Sequence, residues 1–239
     1  MVYNLEFIKN INFYSKILNK RNFEINPNER IAFVGKIDAE KTTIFNLITR
    51  LYHTTKGKIL LDNIDINELS CLTIRDNMSI ITQNPYIFNF FIKDNLLLAK
   101  SNATMKEIRN ACKVACIDDY IMSLPNEYDT MVGENGVILS GGQKQRLAIA
   151  RTLLMKTEII LFDEATSVLD NETQSKIQKS INNLKGKYTI IVAHRLSTVI
   201  NSDKIFVVDN GKIIGSGSHR ELLKKCEYYK NLYNKDLEK

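Results

Sequence analysis

The chain has few of the residues that break or staple a fold: its 239 residues include 3 prolines and 4 cysteines. Few prolines and an apolar fraction of 44% argue for a compact globule and against disorder. Cys71, Cys112, Cys116 and Cys226 form no metal pattern. Cys112 and Cys116 stand four apart on a helical stretch with no second ligand pair, so the cysteines are read as small buried hydrophobes. With reduced thiols and no signal peptide, the expected compartment is the cytosol. No apolar run approaches the ~18 residues that span a bilayer, so any membrane role would need a separate spanning domain or subunit. There is neither an internal repeat nor a low-complexity linker. The net charge of +6 comes from 33 basic against 27 acidic residues, a mixed surface on which nucleic acid is not an expected partner.

What the chain does have is a series of short apolar runs, each ending in a residue able to do chemistry. Ile31 to Val34 runs into Gly35 and on to Lys41-Thr42-Thr43. Met78 to Thr82 ends at Gln83, Ile159 to Phe162 at Asp163-Glu164, and Thr189 to Ala193 at His194. Continuous runs of this length predict strands buried on both faces, as in a parallel sheet covered by helices. Such sheets bind ligands beyond the carboxyl ends of their strands. Gly35, Lys41, Gln83, Asp163, Glu164 and His194 therefore converge on one edge.

Leu139-Ser140-Gly141-Gly142-Gln143 leads straight into a helical pattern from Lys144 to Met155. Two glycines behind a serine leave backbone N–H groups free at the positive end of a helix, which suits a phosphate. A phosphate-binding helix feeding a buried strand that ends in two carboxylates suggests a metal–nucleotide site.

Other segments frame these. Leu5 to Ile25 reads as short strands joined by a polar turn and closed by Asn26-Pro27-Asn28-Glu29. From about Asn84 to Gly142 the spacing is helical, notably over Thr104 to Cys116 and Asp118 to Ser123, which predicts an inserted helical subdomain. Near its start, Tyr86 to Ile92 is unusually aromatic, and at least one of these rings is expected at the surface as a docking groove for a membrane partner. Val207 to Ile214 predicts a hairpin turning at Asn210-Gly211. Ser218-His219-Arg220-Glu221 is a capping box opening the last helical stretch, with His219 read as a surface residue.

From Asp129 to Asp170 the chain resembles the signature, Walker B and D-loop segment of an ATP-binding cassette (ABC) ATPase. Val132-Gly133-Glu134-Asn135-Gly136 has the form found in exporters, and the resemblance extends from about Leu5 to Leu223. It implies an α/β fold: a P-loop NTPase (RecA-like) core with a mainly parallel sheet, an N-terminal antiparallel β subdomain and an inserted α-helical subdomain. Residues 1–239 would form one ABC ATPase domain, with 1–83 and 150–239 as the ATP-binding core and β subdomain and 84–149 as the helical signature subdomain.

The resemblance also implies roles. ATP and Mg²⁺ would be bound by the P-loop, Gly35-Lys36-Ile37-Asp38-Ala39-Glu40-Lys41-Thr42-Thr43, with Lys41 on the β- and γ-phosphates and Thr42 on Mg²⁺. Asp163 would hold Mg²⁺ through water, and Glu164 would orient or deprotonate the attacking water. Gln83 would sense the γ-phosphate and Mg²⁺, His194 would contact the γ-phosphate, and Tyr14 would stack on adenine. Ser140, Gly141, Gly142 and Gln143 would close on ATP held by a second ABC ATPase domain, identical or not, in a head-to-tail dimer. That dimer would drive a membrane-spanning partner from the cytoplasmic face.

The P-loop departs from the family at Asp38 and Glu40, where glycines are usual. Side chains there crowd the phosphates, and a carboxylate ~4 Å from a phosphate charge costs ~4 kcal/mol at an effective dielectric of ~20. The alternative expectation is thus a degenerate, catalytically impaired cassette acting as a regulatory or partner subunit.

Overall fold

The computed structural model describes residues 11–15, 23–36, 41–54, 57–134, 136–163, 172–173, 176–177, 187–193 and 196–237. They divide between two compact units. The first contains the described residues up to 79, then 158–163 and 187–237, and the second is built mainly from 80–157.

The first unit begins with β1 (Ile11–Ser15), β2 (Phe23–Ile25), β3 (Arg30–Val34), α1 (Lys41–Ile48), β4 (Gly57–Leu61), β5 (Ile64–Asp65), α2 (Cys71–Asn77) and β6 (Met78–Ile81), on which the chain leaves the unit. The second unit contributes α3 (Ile92–Leu97), α4 (Met105–Val114), α5 (Asp118–Met122) and α6 (Gly141–Met155). The chain then returns through β7 (Ile159–Asp163), β8 (Tyr188–Ala193), β9 (Lys204–Asp209), β10 (Lys212–Gly217), α7 (His219–Lys225) and α8 (Glu227–Leu237).

Four strands form an antiparallel sheet in the order β2-β1-β4-β5. The other sheet runs β10-β9-β3-β8-β7-β6, with β9, β3, β8 and β7 mutually parallel and β10 antiparallel. The apolar runs predict this arrangement: every residue of β3 and β8 is buried, as strands covered on both faces must be. The run at β6 differs, because Ile80 is exposed on this strand at the end of the sheet order. Ile31, Phe33, Ile44, Ile48, Ile59, Leu61 and Phe206 belong to one buried cluster, with Phe33 and Phe206 stacked at 5.3 Å. Each such side chain contributes about 1.5–3 kcal/mol on leaving water.

The turn between β9 and β10 follows the Asn-Gly signal. Lys212 pairs with Asp209, and Asn210 and Gly211 both have positive φ, at 47° and 69°. A register shift between Ile213 and Gly215 then bends β10. The Ser218–Glu221 capping box opens α7 as its spacing predicts. His219 departs from expectation. It is half-buried, with Nδ1 2.8 Å from the Tyr229 hydroxyl and its ring 5.0 Å from that of Tyr233. Two tyrosines on α8 give the imidazole an apolar wall that a local sequence window cannot show.

In the second unit, Thr104 and Glu107 close a capping box on α4, and Glu107 also pairs with Lys100 and Lys156. The carboxylate of Asp118 is buried. It accepts from the Tyr128 hydroxyl at 2.6 Å and from the Arg109 guanidinium at 3.2 and 3.1 Å. Cys112, beside this network, is fully buried, and burial pushes its thiol up to about 12. Cys71 does not share that burial, because it lies on the exposed side of α2.

Candidate functional site

Strand register in the first unit brings three strand ends together. Val34 of β3 pairs with Ala193 of β8, and Asp163 of β7 pairs with Val192. The carboxyl ends of β3, β8 and β7 therefore lie side by side, with Gly35 and Asp163 at one edge. This convergence needs only parallel strands of matched length, as the apolar runs implied.

Gly35 is buried at the end of β3, and Lys36 beside it is exposed. Lys41 opens α1 with only 3% of its surface exposed. Its ammonium donates to the carbonyl oxygens of Gly35 at 2.8 Å and Lys36 at 2.6 Å. A buried cation is thus fixed at the strand edge by carbonyls of the same loop, at the N-terminus of a helix whose dipole also favours an anion. Thr43, two residues further on, is half-buried. Asp163 is half-buried at the end of β7, and burial holds its carboxyl above the usual carboxylate range. A carboxylate raised by desolvation gains from a nearby cation, so this donor set suits Mg²⁺ beside a polyphosphate.

Several expected site residues lie outside the described residues: Asp38, Ala39 and Glu40 of the P-loop, Glu164 and His194. Tyr14 sits in β1 opposite Lys58 of β4, but its side chain, like that of Thr42, is also outside the described part.

The second unit holds the remaining candidates. Ser140 caps α6, accepting from the Gln143 amide at 3.3 Å while Gln143 Oε1 accepts from the Ser140 N–H at 2.8 Å. Gly141 and Gly142 form the first turn, where N–H groups have no intrahelical acceptor. A Cβ on Gly141 would meet nothing within 4 Å, so this helix end is open to an approaching ligand. The helix begins at Gly141, earlier than the Lys144 start of its apolar pattern, because the capping box recruits both glycines.

Gln83 is exposed two residues beyond β6. Two residues not singled out from the sequence hold the chain on either side of it. Gln145, fully buried in α6, donates to the Thr82 carbonyl at 3.2 Å, and Arg151 donates to the Tyr86 carbonyl at 3.0 Å. The sequence carries no distinct signal for them, because α6 also contains Gln143, Lys144, Arg146 and Thr152. Asn95, also buried, accepts from Phe88 N–H at 2.9 Å and donates to Phe88 O at 3.0 Å, shaping the aromatic segment. Tyr86, Phe88, Phe90 and Phe91 are all exposed, and the rings of Tyr86, Phe88 and Phe90 form a contiguous ladder. Beside them lies a groove of about 300 Å³ bordered by Ile80, Phe88, Leu98 and Met155, with Arg151 on its wall.

Comparison with known proteins agrees with this geometry. The family described as ABC transporter matches residues 18–167. A multidrug export ATP-binding/permease protein of Staphylococcus aureus (strain bovine RF122 / ET3-1) is 44% identical over 234 residues, covering 98% of this chain and 40% of the relative. Its counterpart in strain NCTC 8325 / PS 47 is 46% identical over 219 residues, covering 91% of this chain and 38% of that protein. The chain thus spans about two fifths of the length of these relatives. The solved structure of a bacterial Atm1-family ABC exporter with ATP bound aligns over 98% of this chain and 42% of its own, with a TM-score of 0.90 and 37% identity. A shared family, a fold common to nearly the whole chain, and a buried lysine and a carboxylate at the sheet edge lead to one assignment: the chain belongs to the ABC transporter family, as an ATP-binding domain of exporter type.

Proposed function

We propose that this chain binds and hydrolyses MgATP in a head-to-tail dimer and thereby powers efflux through a membrane-spanning partner. The observation that carries this reading is the buried Lys41 ammonium, held at the same sheet edge as the desolvated Asp163. On phosphate binding the ammonium exchanges the Gly35 and Lys36 carbonyls for β- and γ-phosphate oxygens, a stronger charge-assisted pairing. Gly35, Lys36, Asp38, Ala39, Glu40 and Thr43 line the phosphates, and Tyr14 stacks on adenine. Thr42, Gln83 and Asp163 would hold Mg²⁺, which when bound offsets charge on the phosphates. Glu164 orients or deprotonates the attacking water, Gln83 senses the γ-phosphate and Mg²⁺, and His194 contacts the γ-phosphate. In the dimer, Ser140, Gly141, Gly142 and Gln143 offer the open end of α6 to ATP seated on the other protomer. Residues 84–149 act as the signature subdomain in this scheme.

The relatives are ATP-binding/permease proteins more than twice as long as this chain, which supports a membrane-spanning domain or subunit of a transporter as the partner for the aromatic groove. The exposed rings of Tyr86, Phe88 and Phe90 offer an apolar face to a helix from that partner, at the cytoplasmic face of the membrane.

A second reading has a specific basis in the sequence. Asp38 and Glu40 replace glycines of the P-loop, and a cassette weakened there would lend its signature helix to a better partner while turning over little ATP itself. Steady-state ATPase assays at saturating MgATP, with Glu164→Gln as control, separate the two. Turnover abolished by the substitution supports the first reading. Weak or absent MgATP binding without turnover above that control supports the second, and tight binding without turnover removes both.

A further inference from the structure

The last helix, α8, reaches two segments of the phosphate edge. At its start, the Tyr228 hydroxyl donates to Asp209 Oδ1 at 2.9 Å, and the Lys36 ammonium lies 5.3 Å from the centre of the Tyr228 ring. Burial and then Asp209 raise the phenol, so it remains a donor, while the Lys36 backbone amide facing the same oxygen pulls the other way. Near the end of the helix, Asp236 Oδ2 accepts the Leu196 N–H at 2.8 Å. Leu196 is two residues beyond His194 in the chain.

The helix that makes these contacts is itself fixed. Tyr229 is fully buried, its hydroxyl 2.8 Å from His219 Nδ1, and the His219 ring packs edge-on against Tyr229 and Tyr233. One anchored helix therefore holds a residue of the P-loop and the segment that leaves His194. Both contacts lie beyond Leu223, where the motif resemblance ends.

We propose that α8 is a positioning element of the ATP site, with Tyr228 seating the start of the P-loop and Asp236 seating the segment that follows His194. The inference rests on the ATP-hydrolysing reading above. A loop held at Lys36 has less freedom to lose when it closes on phosphates, so Tyr228 acts mainly on nucleotide affinity. A segment held at Leu196 fixes where His194 can reach, so Asp236 acts mainly on turnover.

The test uses the full chain with four variants: Tyr228→Phe, Tyr228→Leu, Asp236→Ala and Asp236→Asn. Calorimetric titration with a non-hydrolysable ATP analogue and Mg²⁺ runs beside steady-state kinetics, with thermal melts to confirm folding. Tyr228→Phe, which keeps the ring, is expected to raise KM and Kd about threefold with kcat little changed, and Tyr228→Leu to raise them further. Asp236→Ala is expected to lower kcat about tenfold with Kd held. Asp236→Asn retains a carbonyl acceptor for Leu196 and should recover most of that loss. If the parent binds and hydrolyses MgATP while all four variants match its KM and kcat, shifting only the melting temperature, the inference is overturned and the functional reading stands. A parent that binds no MgATP overturns both.

Discussion

The Lys41 ammonium donates to the Gly35 carbonyl at 2.8 Å, tying the first residue of α1 to the glycine that ends the β3 run. One buried side chain therefore holds the Gly35 and Lys36 carbonyls and is also the cation proposed for the phosphates. Lys41→Ala removes the cation and leaves the Gly35 and Lys36 carbonyls without this donor. MgATP affinity should fall at least about tenfold, equivalent to about 1.4 kcal/mol, by titration calorimetry. An unchanged Kd would take Lys41 out of phosphate binding.

Glu164→Gln keeps the size of the residue and removes its capacity to accept a proton. Turnover should drop about a hundredfold or more while nucleotide binding survives. In the proposed head-to-tail assembly the open N-terminus of α6 meets phosphate only across a subunit boundary, so the free chain should be largely monomeric. The Glu164→Gln protein should form the longer-lived dimer with MgATP. Light scattering checks this, and a stable dimer without nucleotide counts against the proposed assembly.

Asp38→Gly combined with Glu40→Gly should tighten MgATP binding by about tenfold, if about 1.4 kcal/mol of repulsion survives screening. Asp38→Asn with Glu40→Gln keeps the bulk and removes the charge. Recovery in the amide pair assigns the defect to electrostatics, whereas recovery with glycines alone assigns it to backbone and contact geometry. A parent that already binds as tightly as the double-glycine protein shows that the P-loop tolerates both carboxylates.

Asp118 ties α4, α5 and the turn at Tyr128 together. Burial alone would raise its carboxyl, but hydrogen bonds from Arg109 and Tyr128, with the charges of Arg109 and Lys113, outweigh it, so the folded value lies below the usual one. A carboxylate depressed in the folded state adds stability at neutral pH that is lost as pH falls through its folded value, below about 3.9. Asp118→Ala, which leaves the Tyr128 hydroxyl without this acceptor, should cost about 2 kcal/mol in denaturant unfolding at pH 7. The gap between parent and variant should narrow only in acid. A gap independent of pH down to strong acid would show that the charge contributes nothing.

Much of this protein was legible in the chain because the relevant physics is local. Continuous apolar runs of four or five residues can be satisfied only by strands covered on both faces, and β3, β7 and β8 are such strands. Parallel register then leaves few places for the residues that follow them, so Gly35 and Asp163 at one edge could be read before any coordinates. Caps and turns are likewise local: Ser140 with Gln143, Ser218 with Glu221, and Asn210-Gly211 each act over three or four residues.

Tertiary structure alone decided the contacts made across long stretches of chain. His219 was expected at the surface, and the rings of Tyr229 and Tyr233 enclose it once α8 folds back on α7. Gln145 reaches the Thr82 carbonyl over 63 positions, and Asp236 reaches Leu196 over 40. Nothing in a local window separates these polar residues from solvent-facing ones, because their partners are backbone groups, which every residue carries. The sequence by itself determined which strands are buried and which chemistry stands at their ends. Which distant side chains hold that edge in place was decided only when the helices packed, since long-range hydrogen bonds depend on where the chain returns and not on what it is made of.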